Sequence, residues 1–131
     1  MPESIVIAAA RRTPIGGFQG IFSPVSATQL GSVAAAAALA DSGLAPDAID
    51  EVIFGCVLPA GLGQAPARQA AVGAGIAMSV PATTVNKMCG SGMKAVMLAA
   101  DQIRAGSARA ILAGGLESMT NAPYLMLKAR A

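Results

Sequence analysis

Apolar positions along this chain fall into short continuous runs separated by stretches of helical periodicity, with glycine or proline at most junctions. Ser4 to Ala9, SIVIAA, reads as a buried strand, and loop chemistry follows from Arg11 to Pro24. Ser26 stands three residues before Gln29, the spacing of a capping box, with Val25 and Leu30 placed to staple across it. A helix is therefore expected from about Ala27 to Ser42, stopped by Gly43, and its alanine block from Ala34 to Ala38 suits a buried helix. After a turn at Pro46, Glu51 to Leu58 (EVIFGCVL) reads as a strand. Pro66 opens a helix that ends near Gly73 or Gly75. Thr83 to Val85 is strand-like. Gly90 to Ala105 then reads as a helix with Met93, Val96, Met97, Ala100 and Ile103 on its apolar face and Lys94, Asp101 and Arg104 away from it. Arg109 to Ala113 is the next short strand, stopped by Gly114-Gly115.

Strands that are continuously apolar and alternate with helices predict an α/β fold, a layered sheet covered on both faces. Glu117 to Ala131 departs from the pattern and reads as a connection. Composition sharpens this picture: 54% of the 131 residues are hydrophobic, only 3% are aromatic and 12% charged. The core must be built from small aliphatic side chains, and so little surface charge points to partner subunits or missing chain. The uncharged stretch from Thr13 to Ala40 is broken by glycine, glutamine and proline, so no membrane span is expected. Neither a secretory signal nor a disulfide framework is evident, which favours a reducing, cytoplasmic setting. A net charge of +2 with one adjacent basic pair, Arg11-Arg12, gives nucleic-acid binding little support.

The candidate chemistry centres on Asn86 to Ala95, NKMCGSGMKA. Cys89 sits where an extended segment turns through glycines into a helix, whose unpaired N–H groups and dipole favour a thiolate; a merely buried thiol is the competing reading. Cys56, inside an apolar strand, reads as a core residue. Arg68 reads as structural. An alternative stays open on spacing: Gly90, Gly92 and Ala95 fit the GxGxxA dinucleotide pattern, and Glu117 lies about where a ribose-binding acid would stand. A phosphate-cradling P-loop is excluded, because Ala95 follows Lys94 and the glycine spacing is wrong. Histidine is absent, so the usual proton-moving partner of a cysteine nucleophile cannot come from these residues.

NKMCGSGMKA resembles the active-site segment of the thiolases. ARRTPIG from Ala10 to Gly16, GLGQAPARQAA from Gly61 to Ala71 and GGLESMTNAPYL from Gly114 to Leu125 resemble three further ordered segments of that family. The resemblance implies two similar β-α-β-α-β-α-β-β halves packed in five layers, with this chain supplying most of the first. Residues 1–118 would be the incomplete amino-terminal half and 119–131 the start of the connection into a loop domain. It further implies Cys89 as the acylated nucleophile, with both catalytic histidines and a second cysteine lying in the missing carboxy-terminal half. No permanently bound cofactor is implied; coenzyme A thioesters, acetyl-CoA and acetoacetyl-CoA, are the substrates, and the assembly is a homodimer or homotetramer. Met93-Lys94 leans toward the short-chain, acetoacetyl-CoA-forming members. The segments GQAPARQ and GGLESM disfavour the ketoacyl synthases of the same fold.

Overall fold

The computed structural model describes residues 4–130. Helix α1 runs over Ala27–Ser42. Its first turn is closed as the sequence predicts: Gln29 N–H donates to Ser26 Oγ while Ser26 N–H donates to Gln29 Oε1 at 2.8 Å. At the other end Gly43 takes a left-handed conformation, φ 70°, and donates to the Ala40 carbonyl. A short 3-10 turn at Pro46–Ala48 leads into β1, Glu51–Gly55. Then follow α2, Pro66–Gly73; β2, Ala82–Val85; α3, Ser91–Arg104; and β3, Ile111–Gly115.

The three strands form one parallel sheet in the order β2-β1-β3. Because β1 is central, α2 and α3 must pass over opposite faces to return the chain to either edge, and each face is covered by a helix. Val52 and Phe54 of β1 join α1 and α2 in the larger apolar cluster, with Ala35, Leu39, Ala67, Ala70 and Ala71. Ile53, between them in the pleat, faces the other way and packs with Ala95 and Ala99 of α3. Val52 and Ile53 are buried to 0% and 1% exposure. Each such side chain contributes about 2 kcal/mol of hydrophobic stabilisation.

Four expectations are corrected. Ser4 to Ala9 forms no strand: Val6 and Ile7 are exposed, and none of the three strands pairs with the segment. An apolar run becomes a strand only where a neighbour accepts its ladder. The strand expected from Glu51 to Leu58 ends at Gly55, and Cys56 follows it, because Glu117 takes the N–H groups of Val57 and Leu58. The strand expected over Arg109 to Ala113 begins two residues later, since the Asp50 carboxylate accepts from the N–H groups of Arg109 and Ala110 at 2.6 and 3.1 Å, and the strand runs on through Gly114 and Gly115, which pair with Phe54 and Gly55 instead of stopping it. Finally, the large apolar face of α3 is not its buried one. Met93, Val96 and Met97 are exposed, and the small residues Ser91, Ala95 and Ala99 meet the sheet.

Backbone N–H donation from Arg109, and then from Ala110, holds the Asp50 carboxyl below its ordinary value. A carboxyl depressed in the folded state stabilises the fold above its unfolded value of about 4 and loses that contribution as pH falls through the folded value. Asp50→Asn is therefore expected to flatten the fall of thermal stability with acidification below about pH 5. Melting curves at stepped pH check this; parallel curves for the two proteins would remove Asp50 from the account. Among the described residues, no helix is long and apolar enough to cross a membrane.

Candidate active site

All three strands point the same way, so the segments leaving their carboxyl ends gather at one edge of the sheet. In open α/β sheets this edge is where ligands bind. Cys89 is there, in the turn between β2 and α3, and it is exposed. It precedes the first helical residue, Ser91, by two positions, with Gly90 as the N-cap. The turn is tightly specified. Met88 adopts φ 51°, a left-handed conformation unfavourable for a side chain of its size. Asn86 Oδ1 accepts from Met88 N–H at 2.9 Å, and Ser91 Oγ accepts from Lys87 N–H at 2.8 Å while donating to the Met88 carbonyl at 2.5 Å. Backbone bonds from Gly90 to Lys87 and from Ser91 to Met88 close it further. Ser91 is buried, so its hydroxyl is fixed beneath the turn.

The height of Cys89 above the sheet is set by Gly55. A Cβ built on Gly55 would lie 2.4 Å from the Ser91 carbonyl carbon and 2.7 Å from Gly92 N. Only glycine lets the first turn of α3 rest directly on β1. Gly92 in turn lies over Gly114 and Gly115 of β3, with Gly92 Cα 3.3 Å from where a Cβ on Gly115 would sit.

The dinucleotide reading is corrected by this geometry. Ala95 is fully buried against the sheet, and Gly92 serves helix–sheet packing. Glu117 spends both carboxylate oxygens on Val57 N–H and Leu58 N–H, at 2.8 and 3.0 Å, so it does not present a free acid to a ribose. Gly90 is the one member of that set beside the exposed turn. With Lys87, Met93, Lys94 and Met97 it lines a hollow of about 380 Å³. A larger cavity, about 670 Å³, lies at the opposite end of α3 between Ser4–Val6 and Ile103–Arg109, away from Cys89.

Cys56 is buried, and its Sγ lies 3.7 Å from Glu117 Oε1. Burial first, and the Glu117 charge second, push its thiol up to about 11, so it stays protonated and inert as the sequence suggested. Arg68 has the expected structural role, donating to the Val80 and Met78 carbonyls at 2.5 and 2.6 Å. Three of the four sequence segments meet in space, Gly92 lying over Gly114 and Gly115 and Gly61 facing Pro123, and further bonds tie the segments and their flanks into the fold. Arg11 pairs with Asp41 on α1; Gln19 N–H donates to Thr120 Oγ1 at 2.9 Å; Gln69 Nε2 holds the carbonyls of Leu62 and Gln64. Asn86 and Ser91 were not singled out from the sequence as site residues; the nearest signal was an Asn two residues before the backbone N–H it binds.

Comparison with known proteins identifies the fold. The family model for the thiolase N-terminal domain matches residues 5–131. Acetyl-CoA acetyltransferase B, mitochondrial, of Xenopus laevis is 56% identical over 124 residues, which cover 95% of this chain and 30% of that protein. Acetyl-CoA acetyltransferase 2 of Arabidopsis thaliana is 55% identical over 129 residues, 98% of this chain and 32% of the relative. A crystal structure of the Acat5 thiolase from Ascaris suum in complex with coenzyme A superposes with a TM-score of 0.89 at 41% identity, covering 93% of this chain and 32% of that one. The chain thus spans about a third of the length of the relatives it matches. With its parallel sheet, its cysteine ahead of α3 and a family match along nearly all of its length, the chain belongs to the thiolase family, in the region of that family's amino-terminal domain.

Proposed function

We propose that the full-length protein is an acetyl-CoA acetyltransferase that condenses two acetyl-CoA into acetoacetyl-CoA and coenzyme A, reversibly, through an acetyl group carried on Cys89. The observation that carries this reading is the exposed Cys89 thiol in a tightly bonded turn at the carboxyl edge of the sheet, directly ahead of α3. In the first half-reaction Cys89 Sγ attacks the thioester carbonyl of acetyl-CoA, the carbon–sulfur bond to coenzyme A breaks, and coenzyme A leaves as its thiol. A second acetyl-CoA then loses a proton from its methyl carbon; the carbanion forms the new carbon–carbon bond at the acetyl-enzyme carbonyl and Cys89 leaves as thiolate. Loading of Cys89 exchanges one thioester for another and is nearly balanced in energy, so that half-reaction runs either way. In this reading the Cys89 N–H, in the turn that opens α3, donates to the tetrahedral oxyanion.

Both half-reactions move protons, and the 131 residues contain no histidine. We assign the acid–base groups, with most of the coenzyme A site, to the part of the enzyme outside these residues. Residues 1–118 then form most of one half of the catalytic fold and 119–131 open the connection to the loop domain, in an assembly that is a homodimer or homotetramer. Two unbridged cysteines suit a reducing compartment. The cytoplasm is our assignment; the frog relative is named mitochondrial.

The test is covalent. Full-length protein incubated with acetyl-CoA, quenched in acid and digested should carry acetyl on the Cys89 peptide and none on the Cys56 peptide. An intact fold with unlabelled Cys89 would sink the reading. The 131-residue polypeptide alone should show no sustained thiolysis of acetoacetyl-CoA.

A further inference from the structure

Glu117 is the second residue beyond β3, and its carboxylate is no ribose ligand. Its carboxylate reaches across to the end of β1, where it accepts from Val57 N–H and Leu58 N–H. The carbonyl of that same Val57 accepts from Asn86 Nδ2 at 3.3 Å, at the end of β2. Asn86 Oδ1 in turn accepts from Met88 N–H at 2.9 Å, and Met88 is bonded to Cys89. One path of hydrogen bonds, joined through Val57 and Asn86, therefore crosses the ends of all three strands and finishes at the Lys87–Met88 peptide, one residue before Cys89.

That peptide needs holding. Met88 at φ 51° lies in a conformation that costs about 1–2 kcal/mol for a residue with a Cβ and persists only where the surroundings over-determine it. Ser91 secures it from the helix side, and the path from Glu117 secures it from the sheet side. Merely closing the sheet would not require this connection. The ladder already continues past the named strands through Cys56 N–H to the Val85 carbonyl and Leu116 N–H to the Gly55 carbonyl.

We infer that Glu117 is a positioning residue for Cys89, acting through the Val57 carbonyl and the Asn86 side chain to set the direction of the thiol; the inference rests on the acyl-transfer reading above. The experiment measures single-turnover acetylation of Cys89 by acetyl-CoA in full-length protein, per folded molecule, for wild type, Glu117→Gln, Asn86→Ala and the double variant. Glutamine keeps the shape but sets its own N–H₂ against a backbone N–H. Each single variant should slow acetylation by about 10- to 100-fold with half-saturating acetyl-CoA unchanged, the scale of a nucleophile displaced by about 1 Å. Because both act on one path, the double variant should be little slower than the worse single one. Wild-type rates in either single variant, or losses that multiply in the double, overturn the proposal. Should Glu117→Gln fail to fold, Asn86→Ala, at an exposed position, decides alone by its rate. A folded wild type that is not acetylated at all defeats the acyl-transfer reading, and this role with it.

Discussion

Cys89→Ser in the full-length enzyme is expected to leave a folded protein whose thiolysis of acetoacetyl-CoA is lower by on the order of 100,000-fold. The fold should not notice the change. Cys89 is exposed, and substitutions at such positions usually alter stability by no more than about 0.5 kcal/mol. The chemistry should notice it fully, because a serine hydroxyl is far less ionised, and so far less nucleophilic, than a thiol near neutral pH. Cys56→Ala makes the opposite pair of effects. Removing a sulfur buried to 1% exposure leaves a small cavity, costing about 1 kcal/mol, while acetylation of Cys89 proceeds. Steady-state rates with thermal melts on both variants separate the two roles. A loss below about tenfold in Cys89→Ser would remove this sulfur from the acyl-carrying step.

What could be read in the sequence was what neighbours in the chain decide. Both ends of α1 are local chemistry, a capping box at Ser26 and Gln29 and a left-handed glycine at Gly43, and both were legible. So was the placing of Cys89, because the turn into α3 is written within NKMCGSGMKA. Ser4 to Ala9 failed for the converse reason: strand pairing is a contract between distant segments, and nothing local to an apolar run names its partner. The face of α3 failed more instructively. Its periodicity marks a stripe of large residues and a stripe of small ones, and the usual preference is to bury the large. Here Gly55 and Gly115 bring the helix so close to the strands that only Ser91, Ala95 and Ala99 fit between. Glu117 was legible as a carboxylate at a strand end, but its partners lie about 60 residues earlier, where pattern reading does not reach.

Gly55→Ala is expected to be the most damaging single methyl group that can be added at this edge of the sheet, lowering stability by about 3 kcal/mol or more. Its backbone is not the obstacle, since Gly55 is not among the residues with positive φ. Space is. The new Cβ would meet the Ser91 carbonyl carbon at 2.4 Å and Ser91 Cβ at 2.5 Å, distances no real methyl group tolerates, and the atoms met belong to the backbone and first turn of α3 rather than to the end of a flexible side chain. Relief therefore requires the amino-terminal end of α3 to lift, and Cys89 is carried on that end. The proper comparison is Gly92→Ala, at the residue next to Ser91 in the same helix–sheet contact. There the added Cβ has nothing nearer than 3.8 Å, at the Gly114 carbonyl oxygen, and alanine is the better helix former. That variant should fall within about 1 kcal/mol of wild type, or gain slightly. Denaturant melts of the two variants give the stabilities, and acetylation of Cys89 in the folded fraction reports the lift. Equal stabilities would mean that α3 does not rest on Gly55. A destabilised Gly55→Ala with wild-type acetylation would mean instead that the turn holds Cys89 in place independently of the helix beneath it.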